Sequence, residues 1–443
     1  MIANDDPVLK RKKRLARRFK LAIVVATAVV MAGIGIGTES GRYALTRGWF
    51  GAKKTFRNAI GWSLGREWEV DIEEMEALRA TETEHTLRGS EASFQRVFDQ
   101  SSPAMQHLFE VAGMSPQPGA NQVLIRPGNI NWGLILSSSV YEPHPSLSFR
   151  FRPNTRSIFL RNVILAEGLT AIAHLPDSPE VLDAVERLNL TVNIARNERG
   201  DIAVQTTNSL GLRGPEPDPS AEIQVLVIGD SYMQGFLIDD EDTPARCLER
   251  YLEETLETSV SVCNASNQGW GPKEYAAAMQ EFCGKDVDLV IVSVCPNDFG
   301  DGFLVINGRG DDWVRAEYYL RQIQRKCFVT NLPLICCPVP GEKQLRSRLD
   351  GHYPARVATM MHMPSENYCY PIEAFTDVEL RWRRDHVATT YPPLHSPLYN
   401  GEWGDGHFSP FGSRVWASAV GERAALVLQN RAKGDGRTES GEK

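Results

Sequence analysis

Residues 223–236 read IQVLVIGDSYMQGF, where a mostly apolar run stops at a glycine, an acid and a hydroxyl. Residues 223–228 are typical of a strand buried on both faces of a sheet. A turn directly after such a strand places Ser231 at its carboxyl end, the edge where open α/β sheets bind ligands. Ser231 is therefore either a turn residue or a nucleophile, and the residues after the neighbouring strands decide between the two.

Strand and helix patterns alternate after residue 221. Further apolar runs at 259–266, 288–295 and 332–339 are typical of buried strands. Helix starts are predicted between them at Thr243-Pro244, Pro272, Asp311 and Ser409-Pro410, because a polar cap or a first-turn proline opens each pattern. Such alternation predicts parallel β-α-β units with right-handed crossovers. The sequence therefore predicts a three-layer α/β domain over 221–430.

Candidate chemical residues follow each predicted strand. Gly269 ends a glycine-rich loop after the second strand, and its backbone N–H can approach a reacting carbonyl closely. Asn297, after the third strand, offers a side-chain N–H donor. Asp405 and His407, just before the last helix, offer a carboxylate and an imidazole. The four segments are expected to converge on one site.

The ordered set Gly-Asp-Ser231, Asn-x-x-x-x-Gly269, Asn297-Asp and Asp405-x-His407 resembles the SGNH (GDSL) hydrolase superfamily. The resemblance covers 221–430 and implies a flavodoxin-like fold, ester hydrolysis and neither a cofactor nor a metal. It implies that Ser231 is the nucleophile, His407 the general base and Asp405 its orienting acid. The Ser231 N–H, Gly269 and Asn297 then form an oxyanion hole.

The chain departs from the family pattern at two positions. Cys295 stands where the third block usually has glycine, and the last block is Asp-x-His instead of Asp-x-x-His. Asp230 is expected to brace the nucleophile turn and Asp298 to support the third block. Each candidate catalytic residue also has a purely structural interpretation, as a helix cap, a surface histidine or a turn.

Two tryptophans flank the predicted site. Trp270 follows the glycine loop and Trp403 precedes the Asp-His element. They can form an apolar or sugar-stacking wall for a substrate, although packing in the core is the alternative for both.

The N-terminus predicts export from the cytoplasm. Residues 1–20 hold eight Lys and Arg against two Asp and run into 21–37, which contain no charge. This pattern predicts a cytoplasmic tail and a transmembrane signal anchor, with the body periplasmic or extracytoplasmic. A cleaved signal peptide, giving a secreted protein, and a buried soluble helix are the alternatives.

The rest of the chain carries fewer signals. The N-terminal region, 38–217, predicts amphipathic helices followed by strands, and a Pro-rich connector at 214–220 marks its boundary. Within it, 206–217 (TTNSLGLRGPEP) resembles the lead-in of exported bacterial SGNH proteins. Residues 431–443 are predicted to be a disordered tail. The eight cysteines show no metal-ligand spacing and are expected mainly in the core, with one or two disulfides as the alternative.

Three functions fit these patterns. The first is a membrane-anchored esterase or deacylase acting on O-acyl groups of envelope carbohydrate or on lipid esters. An O-acyltransferase would use the same serine and pass the acyl group to a sugar hydroxyl. A non-catalytic envelope binding or assembly protein is the third. The net charge of −8, despite the basic first 20 residues, argues against nucleic acid as a partner.

Overall fold

The computed structural model describes residues 95, 98, 99, 101–114, 124–127, 132–137, 139–164, 170–188, 194–299, 311–347, 353–361, 363–386, 396–400 and 406–439. All of them belong to one compact unit, residues 74–443. The predicted tail and anchor over 1–37 lie outside the described residues, as do Trp403 and Asp405. In the described part, no helix combines the length and the apolar character that crossing a bilayer demands.

The N-terminal region contains a mixed sheet covered by two helices. Its strands are β1 (Leu124–Pro127), β2 (Trp132–Leu136), β5 (Arg156–Ile164), β6 (Thr170–Pro176) and β7 (Val204–Thr206), in the order β1-β2-β6-β5-β7. A separate hairpin pairs β3 (Tyr141–His144) with β4 (Ser148–Phe151). The helices are α1 (Pro103–Val111) and α2 (Pro179–Arg187), and each begins at a Ser-Pro pair whose serine caps the first turn.

Four parallel strands form the second sheet. They are β8 (Ile223–Gly229), β9 (Val260–Ser266), β10 (Leu289–Val294) and β11 (Leu334–Pro338), in the order β11-β10-β8-β9. This is the flavodoxin-like order, with the first strand in the middle. Because Ile228 lies opposite both Ala265 and Val292, the carboxyl ends of β8, β9 and β10 are aligned at one edge.

Helices cover both faces of this sheet. They are α3 (Ser231–Gln234), α4 (Pro244–Leu256), α5 (Pro272–Phe282), α6 (Asp311–Val329), α7 (Glu342–Ser347), α8 (Tyr353–Met361), α9 (Ile372–His386) and α10 (Pro410–Glu439). Val225 and Val227 pack into one apolar core with α4 and α10, whereas Leu226 and Ile228 pack into the other with α5 and α6. β8 is therefore buried on both faces, and the predicted three-layer arrangement is confirmed.

Most predicted strands and helix starts are confirmed in this part of the chain. The side chain of Thr243 caps α4, Pro272 begins α5, and the Ser409 hydroxyl accepts from the Gly412 N–H at the start of α10. The predicted cysteine environment is also confirmed, since all eight thiols are free and five are buried. The alternative of one or two disulfides is therefore not found.

The structure differs from the sequence predictions in three places. α10 continues to Glu439, so 431–439 are helical where a disordered tail was predicted. Extending an existing helix by a residue costs far less than starting one, which favours this continuation. Within the region where strands were predicted, residues 194–202 contain only isolated bridges, Ile194 with Leu160 and Arg196 with Ile202. Helices α8 and α9 occupy a stretch without a predicted element.

Candidate active site

Ser231 and His407 are in direct contact. The Ser231 Oγ lies 2.7 Å from the His407 Nε2, although 176 residues separate them in the chain. Both side chains are partly exposed. Ser231 is the first residue of α3 at the carboxyl end of β8, so the contact lies at the predicted sheet edge. This is the geometry in which an imidazole can remove a serine proton.

The turn that carries Ser231 is held by Asp230 and two glycines. The Asp230 carboxylate caps α3 by accepting from the Tyr232 N–H at 3.0 Å. A Cβ on Gly229 would lie 2.6 Å from the Met233 side chain, so a larger residue would displace α3. Gly235 ends the helix at φ +79°, a left-handed conformation that favours glycine.

His407 is positioned by a short bridge and two aromatic rings. The His407 carbonyl accepts from the Asn400 N–H at 2.8 Å, and Phe408 pairs with Tyr399. The imidazole lies between the rings of Tyr232 and Phe236, with centroid separations of 4.8 and 4.9 Å. These contacts restrict the tilt of the ring and keep Nε2 directed at Ser231.

The two further oxyanion-hole candidates lie on the loops either side of Ser231. Gly269 follows β9 with φ +73°, and Asn297 follows β10 with an exposed side chain. Because β9 and β10 both flank β8, these loops lie next to the nucleophile turn. Among the described residues, neither the Gly269 N–H nor the Asn297 side-chain NH₂ donates a hydrogen bond. Both donors are available to a developing negative charge.

An acidic network lies next to Ser231, with Asp230 buried and Asp298 half-buried. The Cys295 thiol contacts the Asp230 carboxylate and the Asn297 side-chain carbonyl. Asp298 accepts from the Cys295 N–H at 2.8 Å and from the Tyr275 hydroxyl at 3.0 Å. Burial and the neighbouring Asp230 charge raise the pKa of Asp298 well above its usual value. Burial also raises the pKa of Asp230, opposed by Cys295 and His407.

The structure thus brings together Ser231, His407, Asp230, Asp298 and the loops of Gly269 and Asn297. The predicted acid Asp405 and the predicted wall residue Trp403 lie outside the described residues. Trp270 does not form a substrate wall: it is 3% exposed and its indole N–H donates to the Phe149 carbonyl at 2.9 Å. A hydrogen-bonded indole inside the core satisfies its single donor there.

Sequence reasoning missed several residues around the site. Tyr232 and Phe236 flank His407, and the Tyr275 hydroxyl binds Asp298. The first two sit next to the Gly-Asp-Ser turn, so proximity in sequence was an available signal. Arg213 is a further case: it donates to the carbonyl of Gln234, the last residue of α3, and to that of Ile238, each at 2.6 Å. Arg213 lies in 206–217, the segment that resembles the SGNH lead-in, and this resemblance was the available signal.

Comparisons with known proteins found similar solved structures. A lipolytic protein of the G-D-S-L family from Desulfitobacterium hafniense is 15% identical, with a TM-score of 0.31, covering 46% of this chain and 99% of its own. A catalytic mutant of an acetylxylan esterase from Geobacillus stearothermophilus is 18% identical, with a TM-score of 0.33, covering 46% and 94%. An acetyl xylan esterase, AlAXEase, is 20% identical, with a TM-score of 0.34, covering 45% and 98%. No protein-family model and no curated protein matches the chain.

Proposed function

We propose that this protein is a serine ester hydrolase of the SGNH (GDSL) type. The observation that carries the proposal is the 2.7 Å contact between the Ser231 hydroxyl and the His407 Nε2 at the carboxyl edge of the parallel sheet. The Gly269 N–H and the Asn297 side-chain NH₂ on the adjacent loops, which donate to no group among the described residues, support it. A serine that merely capped a helix would require neither the imidazole nor these donors.

The proposed reaction has two steps through an acyl-enzyme. His407 removes the Ser231 proton as Oγ attacks the acyl carbonyl, and the oxyanion is stabilised by the N–H groups of Ser231, Gly269 and Asn297. The protonated imidazole then gives its proton to the leaving alcohol. Water, deprotonated by His407, releases the acid and restores the serine. Asp405 is proposed to orient the imidazole and stabilise its charged form.

The test is ester hydrolysis and active-serine labelling on the full chain. We expect turnover of p-nitrophenyl acetate and labelling by a fluorophosphonate, both lost in Ser231→Ala. Removal of the nucleophile should reduce kcat by about 10⁴-fold or more. The exposed Ser365→Ala is the matched control and should retain both signals. A wild-type protein that is folded but neither labels nor turns over would refute the proposal and favour the non-catalytic alternative.

The substrate is proposed to be an O-acyl group on envelope carbohydrate or a lipid ester. The two classes differ in acyl length, so rates on acetate, butyrate and octanoate esters separate them. The acceptor is tested with the same protein: acyl transfer to an added sugar, measured by mass spectrometry, would assign the acyltransferase reaction. Release of free acid in the presence of that sugar would assign the hydrolase.

We also propose that residues 21–37 anchor the protein in a membrane with the catalytic part outside the cytoplasm. The basic block before this apolar segment supports that orientation. Protease protection of tags placed at the two ends of the full chain tests it. Accessibility of the N-terminal tag from outside the cell would reverse the proposed orientation, and release of the full-length chain by alkaline carbonate would exclude an anchor.

A further inference from the structure

The β3–β4 hairpin of the N-terminal region contacts the loop that carries Gly269. The Gln268 Nε2 donates to the Tyr141 hydroxyl at 2.5 Å, and the Trp270 Nε1 donates to the Phe149 carbonyl at 2.9 Å. Residues 267–270 are called the oxyanion loop below. Both neighbours of Gly269 in this loop are therefore held by one hairpin.

A third contact fixes the helix that follows the loop. The Ser148 hydroxyl donates to the Glu274 carboxylate at 2.8 Å, and the same carboxylate accepts from the Gly271 N–H at 3.1 Å. Leu147, at the tip of the hairpin, is fully buried and packs in the same apolar cluster as Trp270. The hairpin thus contributes both hydrogen bonds and apolar contacts at the start of α5.

The Tyr141 hydroxyl also contacts a buried histidine. It lies 2.6 Å from the His174 Nδ1, and the His174 Nε2 lies 2.7 Å from the Ser157 hydroxyl. The Gln268 amide N–H donates to the Tyr141 oxygen, so the Tyr141 O–H donates in turn to the His174 Nδ1. His174 then donates through Nε2 to Ser157, whose own hydrogen faces the Gln205 carbonyl at 3.3 Å. This buried chain joins the oxyanion loop to strands β6, β5 and β7.

We propose that Tyr141 is a positioning residue for the oxyanion hole, and that positioning this hole is a role of the N-terminal region. The inference rests on the proposed function. The Gly269 N–H belongs to the peptide that joins Gln268 to Gly269, so the direction of that N–H depends on how the Gln268 side chain is held. Tyr141 and Gln268 are both at least 96% buried, so the link is shielded from competing water.

The test compares two tyrosine hydroxyls of the same chain. Tyr141→Phe removes the link to Gln268 together with the contacts of the same hydroxyl to His174 and Gln234. Tyr368→Phe removes a hydroxyl that donates to the Pro354 carbonyl at 2.7 Å, remote from the oxyanion loop. We expect Tyr141→Phe to lower kcat on p-nitrophenyl acetate by about 10-fold with KM little changed, below the 10²- to 10³-fold typical of losing a whole donor. Tyr368→Phe should keep its kcat within twofold.

A second variant and a second readout complete the experiment. Gln268→Met removes the amide at similar volume and should lower kcat to a similar extent. The double variant should lose little more than Tyr141→Phe alone, because that variant has already broken the link to Gln268. Hydrogen exchange of the amides of 268–271 should accelerate in Tyr141→Phe and not in Tyr368→Phe. If Tyr141→Phe does not fold, Gln268→Met decides through the same two measurements.

The outcomes separate this inference from the proposed function. An active wild type with unchanged kcat in Tyr141→Phe and in Gln268→Met overturns the positioning role and leaves the hydrolase assignment intact. An inactive wild type removes the proposed function, and the exchange rates of 268–271 then decide whether Tyr141 holds the loop. Unchanged exchange in both variants would overturn the inference in that case as well.

Discussion

At the residue scale, Asp298 is a half-buried carboxyl group that follows Asn297 and feels the charge of Asp230. Burial and the Asp230 charge raise the pKa of Asp298 well above its usual value. A carboxyl group whose pKa is higher in the folded than in the unfolded chain contributes stability below the unfolded pKa of about 3.9. That contribution is lost as pH rises through the folded pKa.

Asp298→Asn is therefore expected to flatten this loss. An amide stays uncharged at every pH and can still accept from the Cys295 N–H, so the variant mimics the protonated acid. In urea unfolding from pH 4 to pH 8, the free energy of unfolding of the wild type should decrease relative to that of the variant as pH rises. Asp377→Asn, an exposed site on α9, is the control and should follow the wild-type curve. Parallel curves for wild type and Asp298→Asn would contradict this prediction.

At the scale of elements, strands and helix starts after residue 221 could be predicted because their determinants are local. β8 is buried on both faces and so carries a continuous apolar run, and α4 begins at a cap-proline pair. β5 and β6 pair with each other across a short connection, but β5 also pairs with β7 and β6 with β2. These two pairings join strands distant in sequence, so local patterns do not predict them. Helix α9 has a charged sequence, and its buried Phe375 packs in a core built mostly by other elements.

The same distinction explains which parts of the site were predictable. Ser231, Gly269, Asn297 and His407 each follow a strand or precede a helix, so the topology alone directs them to one edge. The hydrogen bond between Tyr141 and Gln268 spans 127 residues, and the sequence around neither residue predicts it. Contacts of this kind are set by how the N-terminal region packs, which periodicity and spacing do not specify.

Arg213 joins the end of the N-terminal region to the nucleophile turn. Its side chain is fully buried and donates to the Asp240 carboxylate at 2.9 Å and to the Gln234, Gly235 and Ile238 carbonyls. Arg213→Lys retains the charge but cannot reproduce the planar fork, so several acceptors lose their donor. We expect it to lower the free energy of unfolding by about 3 kcal/mol, measured by urea unfolding at pH 7.

Arg414 provides the matched control for Arg213. It also joins the two regions, through Glu198 at 2.9 Å, and contacts Asp242 of its own region at 3.7 Å, but its side chain is 43% exposed. Solvent screens such a pair, so Arg414→Lys should change the free energy of unfolding by less than about 1 kcal/mol. Equal losses of the free energy of unfolding in the two variants would show that the buried guanidinium of Arg213 stabilises the fold no more than the exposed one of Arg414.

At the scale of the whole molecule, Asp298 and His174 make the free energy of unfolding change with pH in opposite directions. Asp298 opposes folding as pH rises, whereas His174 opposes it as pH falls. Burial lowers the pKa of His174 well below its usual value, and the nearby Arg213 charge adds to this effect. The unfolded chain takes up a proton at His174 below about pH 6.5 that the folded chain does not accept. The stability contributed by neutral His174 is therefore present above that pH and lost as pH falls toward the folded pKa.

His174→Gln tests the contribution of His174 to this pH dependence. Glutamine can accept from Tyr141 and donate to Ser157, as the neutral imidazole does, but takes up no proton. As pH falls from 6.5 to 5, the free energy of unfolding of the wild type should decrease relative to that of the variant, by up to about 1.4 kcal/mol per pH unit. His107→Gln, at an exposed position on α1, should keep the wild-type slope. If His174→Gln kept it too, the acid sensitivity would have to arise elsewhere, and the buried chain behind the oxyanion loop would not couple folding to pH.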